Sequence, residues 1–401
     1  MNFNHLLMAI LFSTLAIVGL IGQNWQHISP VFENVAWLYE GADQVHQLKT
    51  PESMMDYILE NPEKVSIAAY RLDRPEHGLF LNADQKRPLA STMKILVLAE
   101  YARQVSLGMV ASEERARLED VELFYLPWTD GGAHALAVRD FKEKGYIDSQ
   151  NTVLLEHIVF AMIRYSDNAA TDFMLTRLGK EHIEALPALL GLSQQDAVMP
   201  LAGMFLSWNN HRLKNPPLER LKHYQSMTQV QYADEVNFWT NEWINNEAFR
   251  AAELDRLKQQ GLGISSKHQQ AFSSLAPKGT AREYADIMAR IYSGELISAE
   301  VSEIMAEFLG WPMAISSTVQ ENFDVFGTKG GNLAGVLTAT YFARSKGASD
   351  GTVLSVFYEN LEGAVWFDLA RNVLHQQLEL NLMQDATLFE LFKEKLFPLG
   401  D

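Results

Sequence analysis

Apolar periodicity changes along this chain in a way that restricts its topology more than any other feature. VSIAAYRL (65–72) and GLFLN (78–82), separated by the turn-like DRPEHG, have strand length and strand composition. DVFGTKGG, GVLTATYFAR and TVLSVFYEN, all beyond Asn322, have them too. Between the two sets the period is helical. A buried helix is predicted over 89–105, beginning near Ser91, with further helical stretches over 152–178, 280–291 and 299–309 and again from 369 to 396. Strands at both ends with helices between them predict one sheet assembled from the two chain ends and an all-α insertion. The expected class is therefore α/β of the α+β type, an antiparallel sheet flanked by helices plus an all-α lobe, with the site between them.

Pro51 suits the first turn of a helix running to Glu60, where its missing N–H costs nothing, so the folded domain is expected to span 51–401. Its sheet lobe is expected from 51–90 and 320–401 and its helical lobe from 91–319, with an insertion around 208–270. That insertion, rich in Asn, Gln, Trp and charge, has no readable period. Residues 23–50 read as a polar and aromatic linker. Residues 6–22, LLMAILFSTLAIVGLIG, carry no charge, which fits a signal peptide or a membrane anchor in segment 1–22. The acidic residues that follow, and the absence of Lys or Arg before Lys49, favour an N-terminus inside and the bulk outside. The expected location is extracytoplasmic or periplasmic, with an inner-membrane anchor if the segment stays uncleaved.

Composition excludes several classes. A net charge of −17 repels phosphate backbones, so nucleic acid is not an expected partner. Cys 0 removes disulfides, thiolate metal sites and a cysteine nucleophile. The 11 His residues form no ligand spacing, so neither metal nor other cofactor is expected, and His134 reads as a loop histidine. Tyr125 and Trp128, in FYLPWTDGG, could rim a cleft or pack as a loop.

Three short motifs carry chemistry. Ser91-Thr-Met-Lys94 sets a hydroxyl and an amine on one face of a first helical turn, where a lysine that loses its proton serves as base to the serine. A Ser N-cap followed by a solvated Lys is the alternative, but this Lys enters an apolar helix. Ser166-Asp167-Asn168 interrupts two apolar helical runs, as either a helix cap or a polar loop pointing into a cleft. Phe326-Gly-Thr-Lys329-Gly-Gly331 puts a lysine on a strand beside glycines that permit close backbone approach. A phosphate-binding loop is ruled out there, because a strand and not a helix follows.

In this order the three motifs resemble the active-site set S-x-x-K, S-D-N and K-[TS]-G of class A β-lactamases and of the related penicillin-binding-protein transpeptidases. The resemblance implies Ser91 as the acylated nucleophile, Lys94 as its base and Ser166 as the proton donor to the leaving group. It further implies Asn168 at the substrate's amide side, Lys329 as a positive charge, and an oxyanion hole from the N–H groups of Ser91 and Asn332, next to Gly331. Two departures are visible. Gly330 stands where the family has a hydroxyl, and strand parity offers Thr328 or Asn332 as substitutes. The deacylating Glu of the family's E-x-x-L-N loop is not found after Leu201, and Glu242-Trp-Ile-Asn-Asn is the nearest string. The expected activity is acyl transfer to water on a peptide, amide, ester or β-lactam of the cell envelope. A catalytically silent protein that binds cell-wall peptide or a partner is the alternative.

Overall fold

In a computed structural model of the chain, residues 33–111 and 113–398 are described. The principal elements in chain order are α1 (Pro51–Glu60), β1 (Val65–Arg71), β2 (Leu79–Leu81) and α2 (Lys94–Ser106). Then come α3 (Leu155–Arg164), α4 (Asn168–Leu178), α5 (Leu201–Trp208), α6 (Gln229–Asn245) and α7 (Ala281–Tyr292). Strands β3 (Phe323–Leu333), β4 (Val336–Ser345) and β5 (Thr352–Tyr358) follow. Helices α8 (Gly363–Asn372), α9 (Leu374–Gln384) and α10 (Ala386–Leu396) close the chain.

The sheet order is β2-β1-β5-β4-β3, antiparallel throughout, with Val65 opposite Tyr358. Strands from the two chain ends therefore share one sheet. Helix α7 covers one face, over β5, β4 and β1, while α9 packs on β5, β4 and α1 on the other. Side chains alternate between two cores. Phe342, Val353 and Phe357 join the core shared with the helical lobe, whereas Tyr341, Leu354, Val356 and Tyr358 join the core under α9. A sheet buried on both faces explains why β4 and β5 read as nearly continuous apolar runs.

The domain begins earlier than Pro51. Residues 33–39 and Ala42–Gln47 are helical, and Trp37 and Leu48 are buried. Trp37 Nε1 donates to Gln270 Oε1 at 2.5 Å, and Ala364 N donates to Glu40 O at 2.9 Å. Residues 33–48 are thus part of the packed body, not linker; a side chain at Gly363 would overlap the Trp37 backbone, so the contact depends on that glycine. The uncharged run 6–22 lies outside the described residues. Among those described, no helix is long and apolar enough to cross a membrane.

The unreadable insertion is helical. Around α6, which packs on α5, lie helices Pro217–Gln225, Glu247–Gln260 and Ser266–Ser273. Its interior is partly ionic, which hides the period. Fully buried Glu253 accepts from His211 N at 2.8 Å and from Arg256 Nε and Nη2 at 2.9 and 2.6 Å.

A second buried carboxylate, Glu379 on α9, accepts from Tyr341 Oη at 2.6 Å and Tyr358 Oη at 3.3 Å. Burial pushes its pKa from 4.5 up to about 7 against these two donors. An acid with a raised folded-state pKa destabilises the fold as it ionises, so this cost is absent below about pH 4.5 and complete above about pH 7. Glu379→Gln keeps an acceptor without the charge. Melting curves should show the variant gaining a few degrees over wild type near pH 8 and no advantage near pH 4.5; a constant difference across pH would contradict this.

Candidate active site

Ala90–Met93 form a single 3-10 turn that passes directly into α2, so Ser91 and Lys94 belong to one continuous helical entry. The turn is pinned to its surroundings. Leu89 N donates to Pro277 O at 2.9 Å, and Thr338 Oγ1 on β4 donates to Leu89 O at 2.9 Å. With that proton committed, the 2.8 Å bond between the Thr92 and Thr338 hydroxyls has Thr92 as donor. Ala90 next to Ser91, Ser166 and Trp128 all have left-handed backbone, at φ 47, 65 and 71. Such conformations cost about 1–3 kcal/mol each in non-glycine residues and collect at functional sites.

Two amines converge on Ser166. Lys94 Nζ donates to Ser166 O at 2.5 Å and to Asn168 Oδ1 at 2.8 Å, and lies 3.3 Å from Ser166 Oγ. Lys329 Nζ, coming from β3, donates to Ser166 Oγ at 2.9 Å and to Gly330 O at 2.7 Å. The Ser166 oxygen is therefore occupied as acceptor, which leaves its proton for a third group. Burial pushes the Lys94 amine from 10.5 down to about 8, opposed by the charges of Asp167, Asp172 and Asp130. Burial, and then the Lys94 charge, holds Lys329 far below the usual lysine range.

Asp167 organises the loop from beneath. Its Oδ1 caps α4 by accepting from Ala170 N at 3.1 Å, and its Oδ2 meets His134 Nδ1 at 2.9 Å. Burial disfavours the charged imidazole, but the Asp167 carboxylate outweighs it and raises the His134 pKa. His134 is thus a buried residue at the start of helix Ala133–Glu143, not a loop histidine, and Tyr125 stacks on it at 4.6 Å instead of walling the cleft.

A cleft of about 500 Å³ opens above these groups, lined by Ser91, Ser166, Asn168, Gly331 and Asn332, with exposed Trp128 at its rim. Lys94 and Lys329 lie behind its floor. The Asn332 side chain is fixed by Trp366, whose Nε1 donates to Asn332 Oδ1 at 2.9 Å. Thr328 does not reach the cleft. Two residues along an extended strand is roughly 6–7 Å, and the Thr328 hydroxyl is used on Thr340 O at 3.1 Å.

Over residues 51–363 the sequence matches the model of the beta-lactamase enzyme family. The chain belongs to that family. It is a β-lactamase-related serine hydrolase. Among solved structures, the β-lactamase of Sphaerobacter thermophilus is similar with a TM-score of 0.51 at 18% identity, over 82% of this chain and 95% of that one. A β-lactamase of Xanthomonas campestris is similar with a TM-score of 0.48 at 10% identity, over 83% and 98%. The first likeness extends to the fold. No curated protein sequence matches.

Within this β-lactamase-family site the segment after Pro200 supplies no carboxylate. Leu201 lines the cleft, and α5 is anchored by buried Asp172, which accepts from Leu201 N and Ala202 N at 2.7 Å each. Glu242 is on α6, paired with Arg212 at 2.5 Å, and does not line the cleft. Asp130 does, but its two oxygens accept from Gly132 N at 2.9 Å and His134 N at 2.8 Å.

The two glycines after Lys329 are not equivalent. A Cβ on Gly331 would stand 2.5 Å from Ser91 N and 2.8 Å from Leu89 O, whereas one on Gly330 would meet only Thr338 O at 3.2 Å. Gly331→Ala should destabilise by about 1–3 kcal/mol and lose most hydrolysis, with Gly330→Ala close to wild type in both. Equal behaviour of the two variants, in denaturant melts and in ester turnover, would refute this reading of the strand.

Proposed function

We propose that the protein hydrolyses an acyl substrate of the cell envelope through an acyl-enzyme on Ser91. The observation that carries this reading is a buried amine with its pKa lowered to about 8, one turn from a cleft-lining serine. Neutral Lys94 takes the Ser91 proton as Oγ attacks the substrate carbonyl. The N–H groups of Ser91 and Asn332 stabilise the oxyanion, and Ser166 passes its proton to the leaving group. Asn168, held between Lys94 and Thr129 O, orients the acyl side. Water then releases the acyl group, restoring Ser91. The uncharged run 6–22 supports an exported enzyme, and a reporter active only outside the cytoplasm, fused at Asp401, tests that part; a silent reporter on a stable fusion would overturn it.

A fluorophosphonate should label wild type at a single site, and Ser91→Ala should abolish labelling while remaining folded. Undiminished labelling of the Ala variant would place the nucleophile elsewhere. Because the base must be neutral, kcat/KM for a p-nitrophenyl ester should rise with pH to a plateau with an apparent pKa near 8. A flat profile between about pH 6 and 9 would remove Lys94 from the role.

Release should be slow. Among the described residues no carboxylate free of backbone partners lines the cleft, and loss of a general base slows a step by about 10²–10⁴-fold. Intact-mass spectrometry during ester turnover should show an acyl adduct on Ser91 as the main species. Turnover with no accumulated adduct would mean that another group activates the water efficiently.

A further inference from the structure

The charge that lines the cleft is one-sided. Among the described residues no lysine or arginine lines it, and the segments outside that set contain neither residue type. The two amines of the site lie behind the floor, committed to Ser166, Asn168 and Gly330. Gly330 offers no hydroxyl through which Lys329 could be felt. Among the described residues the acidic and basic side chains of the lining are those of Asp130 and His375.

His375 begins the wall that α8 and α9 build beyond the family match, together with Trp366, Ala370, Val373 and Gln376. This wall is a fixed corner. Val373, a β-branched residue at φ 53, joins the two helices. His375 is 4% exposed, and its buried Nδ1 has no hydrogen-bond partner among the described residues. Burial holds its pKa down to about 4, so at neutral pH the ring is an uncharged hydrogen-bonding group. Another part of the lining, with Leu201, Met204 and Phe205 of α5, is apolar.

A carboxylate brought into such a cleft loses water and meets no cation in the lining, in a protein whose net charge is −17. We infer that the site, on the reading that Ser91 is its nucleophile, selects esters and amides bearing no carboxylate beside the scissile carbonyl, with an apolar group on the Leu201–Phe205 flank and a neutral hydrogen-bonding group at the His375–Gln376 corner. Penicillins and peptides ending in a free carboxylate next to the scissile bond are disfavoured by the same charge arrangement.

The test uses two thioesters of benzoylglycine, one with thioglycolate and one with thioglycolamide as leaving group, which differ only in a carboxylate against a carboxamide. Wild type should favour the amide in kcat/KM by about tenfold or more, and Gln376→Arg, which introduces a cation into the wall, should cut that ratio at least threefold. Equal rates for the two thioesters while the fluorophosphonate still labels Ser91 would overturn the selectivity and leave the nucleophile standing. A ratio unchanged by Gln376→Arg would show that the charge of the cleft does not set it. Absence of both labelling and turnover would overturn the Ser91 reading, and the selectivity with it.

Discussion

Two lysine amines from different lobes share one serine, and the geometry of the cleft follows from how that arrangement is held. Lys94 comes from the helical lobe and Lys329 from the sheet, and Ser166 joins them through its carbonyl and its hydroxyl. Neither amine forms an ion pair with a carboxylate among the described residues, and burial lowers the pKa of both. This is an unfavourable place for two such groups, and the surroundings compensate with fixed geometry. The Asp167 cap, the left-handed Ser166 backbone and the Thr92–Thr338 clasp each remove a degree of freedom from the loop or the turn.

The features legible in the sequence are the local ones. Strand and helix periods placed β1, β2 and β3 to β5 and the helices around the site, because apolar spacing is set by which face is buried. Ser91, Ser166, Asn168, Gly331 and Asn332 reach one cleft, with Lys94 and Lys329 behind it, since each sits in a short motif at a helix entry, a helix cap or a strand. The clasp between Thr92 and Thr338 was not legible: a hydroxyl pair 246 residues apart leaves no pattern in either segment. Trp37 and Leu48 were hidden because their short helices lack the length that makes a period visible. The ionic interior around Glu253 concealed the insertion's helices, since a buried charged cluster breaks the apolar stripe on which such a reading depends.

The departures from the family pattern belong together. Gly330 in place of a hydroxyl and Leu201 at the head of α5 both leave the lining without a polar side chain there, and Trp366, Ala370 and Val373 add further apolar surface. Asp172 holds the Leu201 end of α5 in place. A carboxylate is still present in this region, but both its oxygens are turned to the backbone of α5, where it fixes a helix instead of facing the substrate space.

The sheet's composition from both chain ends has a bearing on when the protein becomes reactive. The central pairing joins β1 to β5, with Val65 opposite Tyr358, so the sheet cannot close until the chain has been synthesised past Tyr358. Contacts within the helical lobe are shorter in sequence and form earlier, since closing a long loop carries a larger entropic cost. Lys329 and Gly331 arrive with the late strands, and Thr338 brings the hydroxyl that ties down the Ser91 turn. The surroundings of Ser91 are thus completed in the final stage of folding, and an unfinished chain presents that serine without Lys329 or the Thr338 tie.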